Sequence, residues 1–216
     1  MPLVPSNDMK RSLDIAMMQF HKSVDLAMDY LSSRGITKEA VNYFRLGFVA
    51  DGIRPPWDEF AGRLAIPYIV GRSVVGFKFR ALDDEGLRYI SSHGFYAKRF
   101  FNPQTLTELH PRIYICEGEL DTITLWQLGV PAVGLGGANT WDPWMGRALR
   151  GREVIVLVDG KGRSEKGKNA GRNLAKEILA TVEEGGRIVL EDSDVNQFYL
   201  SHGRDALLEE IGWSNG

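Results

Sequence analysis

From residue 112 onward, short apolar runs alternate with segments of helical period: "RIYICEG", "ELDTITLWQLG", "PAVGLGG", "WDPWMGRALRG", "EVIVLVD", "NAGRNLAKEILATVEEG" and "RIVLED", then a last helix over "GRDALLEEIG". Apolar strands alternating with helices build βαβ units, so this half is expected to be α/β, a parallel sheet flanked by helices. In an open parallel sheet, chemistry collects at the carboxyl ends of the strands. Here all three full strands run into acids: Glu117 after "IYIC", Asp159 after "VIVLV", and Asp192 or Asp194 after "RIVLE". Carboxylates gathered at one edge repel and raise one another's pKa, so the group is stable when a cation sits among them. Hard oxygen donors suit Mg²⁺ or Mn²⁺, with substrate phosphates as further ligands, which implies phosphoryl or nucleotidyl transfer. A plainer reading stays open beside it, because acids at strand ends also solvate well and cap the following helix.

The first half follows a different grammar. Residues 11–32 place Leu13, Ala16, Met17, Phe20, Val24, Ala27, Met28 and Leu31 at helical spacing, which predicts one amphipathic helix or a pair, with the methionines in the core. A break at Gly35, a Thr37 N-cap, a short helix and a stop at Gly47 follow, and "DGIRPPWDEF" reads as loop. Then "RLAIPYIV", "SVVGFKFRAL" and "LRYISS" read as an antiparallel meander carrying Arg63, Lys78, Arg80 and Arg88. The expected division is a smaller α+β subdomain over 1–110, the parallel-sheet domain over 111–200, and a C-terminal helix over 201–216 packed on the core.

Composition narrows the classes. At 216 residues the chain has interior enough to fold without staples, and its single cysteine, Cys116, excludes an internal disulfide and any multi-cysteine zinc site. Cys116 reads as a buried, small apolar side chain. A net charge of −2 gives no global basic field of the histone or repressor kind. The charge is nevertheless sorted: 14 Lys+Arg against 12 Asp+Glu in residues 1–110, and 12 against 16 in residues 111–216. No uninterrupted apolar run is long enough to span a bilayer and the start lacks a secretory pattern, so a cytoplasmic protein without membrane association is expected.

One stretch invites a different assignment. "GRSEKGKN" puts Gly162, Gly167 and Lys168 in the register of a phosphate-cradling P-loop, but Asn169 stands where a Ser or Thr hydroxyl should reach the metal. The acid-ended strand before it, finishing at Asp159, is the more informative signal.

Together, "ICEGELDTITLWQLGVPAVGLGG", "VLVDGKGRSEKGKNAGRNLA" and "EDSDVNQFYLSHGRDAL" resemble the TOPRIM domain, and specifically that of bacterial and phage replicative primases. Upstream, "YLSSRGITKEAVNYFRLGF", "FAGRLAIPYIVGRSVVGFKFRAL" and "LRYISS" are similar to the amino-terminal part of the primase RNA polymerase core, so the resemblance covers roughly residues 25–212. It implies a fold in which a TOPRIM-type parallel sheet follows a smaller α+β subdomain. It implies DNA primase activity, the synthesis of short RNA primers from NTPs on single-stranded DNA. Glu117, Asp159 and Asp121 match catalytic acids, and Glu117, Asp159 and Asp194 match the Mg²⁺ or Mn²⁺ ligands, with Asn196 following the third motif. Arg63, Lys78, Arg80 and Arg88 fall at positions facing template or incoming nucleotide, the alternative for them being a solvated sheet face. The implied partners are a replicative helicase and a separate zinc-binding primase module, and the implied setting is a phage-infected bacterial host.

Two departures stand out. Lys161 occupies the second acid of the family's D-x-D, so either Glu165 folds back to replace the carboxylate or Lys161 contacts a phosphate. No zinc-binding module or helicase-binding region is present in this sequence. A TOPRIM nuclease, which would use the same acids to activate water, and a catalytically weak single-strand or replisome-binding module are the rival readings.

Overall fold

A capping side chain begins the first helix. In the computed structural model, which describes residues 5–83, 86–137, 140–160, 165–191 and 193–214 (residues 165–168 as backbone only), the Ser6 hydroxyl accepts the Met9 N–H at 3.2 Å and opens α1 (Asn7–Lys22). The chain divides between Tyr96 and Ala97 into two compact units.

In the earlier unit, the helical segment is a pair: α1 stops at Ser23, a 3₁₀ turn covers Val24–Ala27, and α2 is Met28–Ser33. Gly35 breaks it with φ of 66°, and Thr37 caps α3 (Lys38–Tyr43) by accepting the Ala40 N–H at 3.2 Å. A four-stranded antiparallel sheet follows in the order β1 (Gly47–Phe48), β2 (Leu64–Val70), β3 (Ser73–Arg80), β4 (Tyr89–Ser91). On β3, residues alternate between faces, so Phe77 and Phe79 lie on one side and Lys78 and Arg80 on the other. The phenylalanines meet Leu13, Ala16 and Phe20 of α1 in a core that includes Phe60 and Val49. Phe20 is its hub, with its ring edge-on to Trp57, Phe77 and Phe79 at centroid separations of 5.7, 5.3 and 6.0 Å. Gly47 belongs to this contact, since a Cβ there would lie 2.5 Å from the Phe20 carbonyl carbon.

The later unit is a parallel sheet in the order β6-β5-β7-β8, where β5 is Arg112–Cys116, β6 Ala132–Gly134, β7 Glu153–Asp159 and β8 Glu184–Leu190. Its helices are α4 (Glu119–Gln127), α5 (Pro143–Ala148), α6 (Glu165–Leu179) and α7 (Val195–Glu210). Both faces are covered. Ile113, Ile115, Val154, Val156 and Val158 pack with Met145 of α5 and Leu174, Ala175 and Ile178 of α6, while Tyr114, Cys116 and Leu157 pack with Leu125 of α4 and Leu207 of α7. The continuous apolar runs of β5 and β7 are the record of that double burial. Cys116 is buried as expected. Residues 97–110 pack here: Phe101 exchanges backbone hydrogen bonds of 2.8 and 3.0 Å with Gly134, and Asn102 donates from Nδ2 to the Ala132 carbonyl at 2.9 Å.

Some element limits differ from the sequence reading. Helix α6 begins at Glu165 rather than Asn169, and β8 begins at Glu184 with two glycines that carry no pattern. The last helix begins at Val195, capped by Asp194, and bends at Gly203 (φ 85°), so the expected "GRDALLEEIG" helix is only its second half. Among the described residues no helix is long and apolar enough to cross a membrane.

Phe20→Ala should cost about 3–5 kcal/mol of unfolding free energy, the range for emptying a packed aromatic site. A urea denaturation series measures it, and a loss under 1 kcal/mol would mean that this ring cluster does not hold the earlier unit together.

Candidate metal and nucleotide site

The sheet topology selects where the acids meet. The crossover through α4 carries the chain from β5 outward to β6, and the crossover through α6 carries it from β7 the other way to β8, so β5 and β7 flank the switch point. Glu117 directly follows β5 and Asp159 ends β7, placing both at the carboxyl edge of the two central strands. The opposite edge carries an ordinary ion pair, Arg112 Nε to Glu153 Oε2 at 2.5 Å.

Asp159 is the electrostatic centre. Burial first, and then the charges of Asp121, Glu117 and Asp194, push its carboxyl up to about 9. Burial also raises Glu117, and it raises the Cys116 thiol well above its ordinary value, with Asp121 and Asp159 adding to the effect. Of the four acids taken from the sequence, Asp121, Glu117 and Asp194 therefore all act on Asp159.

They are not equivalent. Asp121, in the first turn of α4, accepts the buried Asn196 N–H of α7 at 2.9 Å through Oδ1, and Asn196 Nδ2 donates to Thr124 Oγ1 at 2.8 Å. These bonds tie α4 to α7. Asp194 accepts the Gln197 N–H at 2.7 Å and caps α7, so the capping reading holds for one of its oxygens. Two of the four acids thus spend an oxygen on a helix start. Among the described residues, no three His, Cys, Asp or Glu side chains are drawn together as a ready-made metal cage, so the expected set of Glu117, Asp159 and Asp194 is not preassembled as one.

The donor chemistry nevertheless fits a hard divalent cation. Oxygen-only donors whose mutual repulsion raises their proton affinity are what Mg²⁺ or Mn²⁺ relieves, and Mg²⁺ takes few protein ligands when water and phosphate supply the rest. Glu117 and Asp159 are the residues that would hold it. Helix α6 makes room for the Glu117 carboxylate at Gly171, where a Cβ would stand 2.3 Å from Glu117 Oε1 and 3.3 Å from Val158 Cγ1. The sequence signal for that contact is the "NAG" of α6, short of any side chain where the helix crosses β7.

Lys161, Gly162 and Asp192 lie outside the described residues, as do the side chains of Glu165 and Lys168, so the P-loop register and the replacement for the second D-x-D acid rest on sequence alone. Gly167 and Lys168 fall within the first turn of α6.

In the earlier unit, the basic residues separate into two kinds. Arg88 is exposed, and Arg63 donates from Nη1 to the Leu87 carbonyl at 2.8 Å. Lys78 and Arg80 are each 7% exposed, which the reading of a solvated sheet face does not describe. Arg80 donates from Nε to the Tyr30 hydroxyl and from Nη1 to the Tyr89 hydroxyl. Sequence reasoning passed over both tyrosines. Tyr89 had a local signal, since it stands opposite Arg80 across the β3–β4 pair, but Tyr30 arrives from α2, fifty residues away.

No family model matches the chain. It is 35% identical to the Gene 57 protein of Mycobacterium phage D29 over 159 residues, covering 70% of this chain and 99% of that one. It is 25% identical to the DNA primase of Pseudomonas putida, covering 97% of this chain and 38% of the primase. The solved DnaG primase catalytic domain bound to single-stranded DNA superposes with a TM-score of 0.75 at 18% identity, over 94% of this chain and 80% of that one. The chain belongs to the TOPRIM-containing primase-core family. The primase core spans little more than a third of the length of the Pseudomonas enzyme it matches. The matched relatives are named DNA primases, and the solved neighbours include the RNA polymerase domain of a Mycobacterium tuberculosis primase.

A pH dependence follows from Asp159. Its pKa is raised from 3.8 to about 9 in the fold, so the folded state binds the proton more tightly than the unfolded chain. Without metal, stability is greatest near the acid end of that window and falls as pH rises toward 9, by at most about 1.4 kcal/mol per pH unit. Thermal melts in EDTA should therefore show Tm falling between pH 6 and pH 8, with Asp159→Asn flattening the slope and Mg²⁺ raising Tm most at pH 8. An unchanged slope in the variant would show that Asp159 is not the crowded group. Gly171→Ala should shift the Mg²⁺ concentration giving half of this stabilisation upward by about tenfold, as a misplaced ligand does.

Proposed function

We propose that this primase core makes short RNA primers from nucleoside triphosphates on single-stranded DNA. The observation that carries the reading is the carboxylate crowding around Asp159 at the switch point of a primase-type sheet. A bound Mg²⁺ or Mn²⁺ would lower the pKa of the primer 3′-hydroxyl and offset the charge of the incoming triphosphate. Glu117 and Asp159 would supply oxygens to the ion, Asp194 would add negative charge from the head of α7, and Asp121 acts by fixing α7 on α4. Arg63, Lys78, Arg80, Arg88 and Lys161 contact phosphates of template or nucleotide. Their contacts with a single strand are weak and salt-dependent, in keeping with a chain of no net basic charge.

The solved primase domain bound to single-stranded DNA supports the choice of template. A replicative helicase and a separate zinc-binding module are the proposed protein partners. The cytoplasm of a phage-infected bacterium is the proposed setting, which the likeness to a mycobacteriophage protein supports.

With a single-stranded template, NTPs and Mg²⁺, the protein should extend new RNA, and Glu117→Gln or Asp159→Asn should lower product at least about 100-fold while template binding persists. Undiminished product from Glu117→Gln would reject the metal assignment. Shortening of the labelled strand without NTP-dependent extension would make the chain a nuclease, and binding with neither outcome would make it a replisome-binding module.

A further inference from the structure

We infer that Tyr30 and Tyr89 form a positioning clamp that fixes the Arg80 guanidinium for the phosphates of a nucleoside triphosphate. The inference rests on the reading of Arg80 as a nucleotide contact and assigns the residues that aim it.

Arg80 is nearly enclosed, and its Nε and Nη1 donate to two neutral phenol oxygens, the partners it has among the described residues. Its Cζ lies 5.6 Å from the centroid of the Tyr30 ring and 5.0 Å from that of Tyr89, so both rings also face the cation. Lys78, two residues earlier on the same face of β3, puts Nζ 5.2 Å from the Tyr89 ring centroid. Burial opposes the charge on Arg80, and the groups that offset this are Tyr89 and Tyr30.

The geometry has a direction. A guanidinium is a planar fork of five N–H donors, and holding Nε and Nη1 fixes the plane and the heading of the remaining donors at Nη2. A pair of cations on one strand face, with one of them oriented by neutral groups, suits an anion of several charges. A triphosphate meets that description better than the single phosphates of a DNA strand, because it offers clustered oxygens to both cations at once. The three parts of the clamp come from α2, β3 and β4, so it assembles only when the earlier unit has folded.

The test is equilibrium binding of ATP, with adenosine as control, to the full chain and to Tyr30→Phe, Tyr89→Phe, Arg80→Ala and Arg80→Lys. Each Phe variant keeps the ring and removes the oxygen. Each should weaken ATP binding about tenfold, the loss of one charge-assisted hydrogen bond, with adenosine binding unchanged. Arg80→Ala should weaken ATP binding further, and Arg80→Lys should not restore it, because an ammonium has no fork for two phenols to orient. If Arg80→Ala weakens ATP binding and both Phe variants bind like the parent, the clamp is refuted and the reading of Arg80 stands. Should Arg80→Ala also bind like the parent, or the parent fail to bind ATP, the reading of Arg80 falls and the clamp with it. Loss of adenosine binding in parallel with ATP binding would make the tyrosines structural and refute the inference.

Discussion

The constraint on which the later unit turns is the confinement of like charges at the ends of β5 and β7. Three carboxylates act on a fourth where two crossovers diverge, and burial together with their charges pushes Asp159 at the centre up to about 9. That energy is not available to stabilise the metal-free fold. The surrounding structure holds the acids in place: Asp121 and Asp194 accept backbone N–H groups of α7, and Gly171 puts no side chain of its own against Glu117.

The double-sided core makes this tolerable. Ile113, Ile115, Val154, Val156 and Val158 bury one face of the sheet, and Tyr114, Cys116 and Leu157 the other. Burial of this kind offsets repulsion at the carboxyl edge, while the amino edge is closed by the Arg112–Glu153 pair. The two ends of the same strands therefore divide the work, one holding the sheet together and the other holding reactive groups apart from their preferred charge state.

The earlier unit solves a related problem with the opposite sign. Strand β3 presents Phe77 and Phe79 to the aromatic core around Phe20 and, one residue out of phase, buries Lys78 and Arg80. Among the described residues, phenol oxygens and ring faces meet Arg80. A carboxylate there would cancel the charge, whereas a phenol orients it and leaves it able to meet an anion.

The sequence by itself determined the classes of element and the acids. Strand-helix alternation after residue 112 and double-sided apolar runs dictate a parallel sheet, and Glu117, Asp159 and one of Asp192 or Asp194 announce themselves because a strand's end is visible in its composition. The Thr37 cap was legible for the same local reason, as a side chain binding an N–H three residues on. What only the tertiary structure decided depends on distance across the chain. That Asp121 ties α4 to an amide of α7, that Gly171 of α6 lies against Glu117, and that Tyr30 of α2 reaches Arg80 of β3 are contacts between residues about fifty to seventy-five positions apart. No periodicity encodes them, because each depends on how separate elements pack. Packing also separated the basic residues, enclosing Lys78 and Arg80 while leaving Arg88 in solvent, although all three look alike in the sequence.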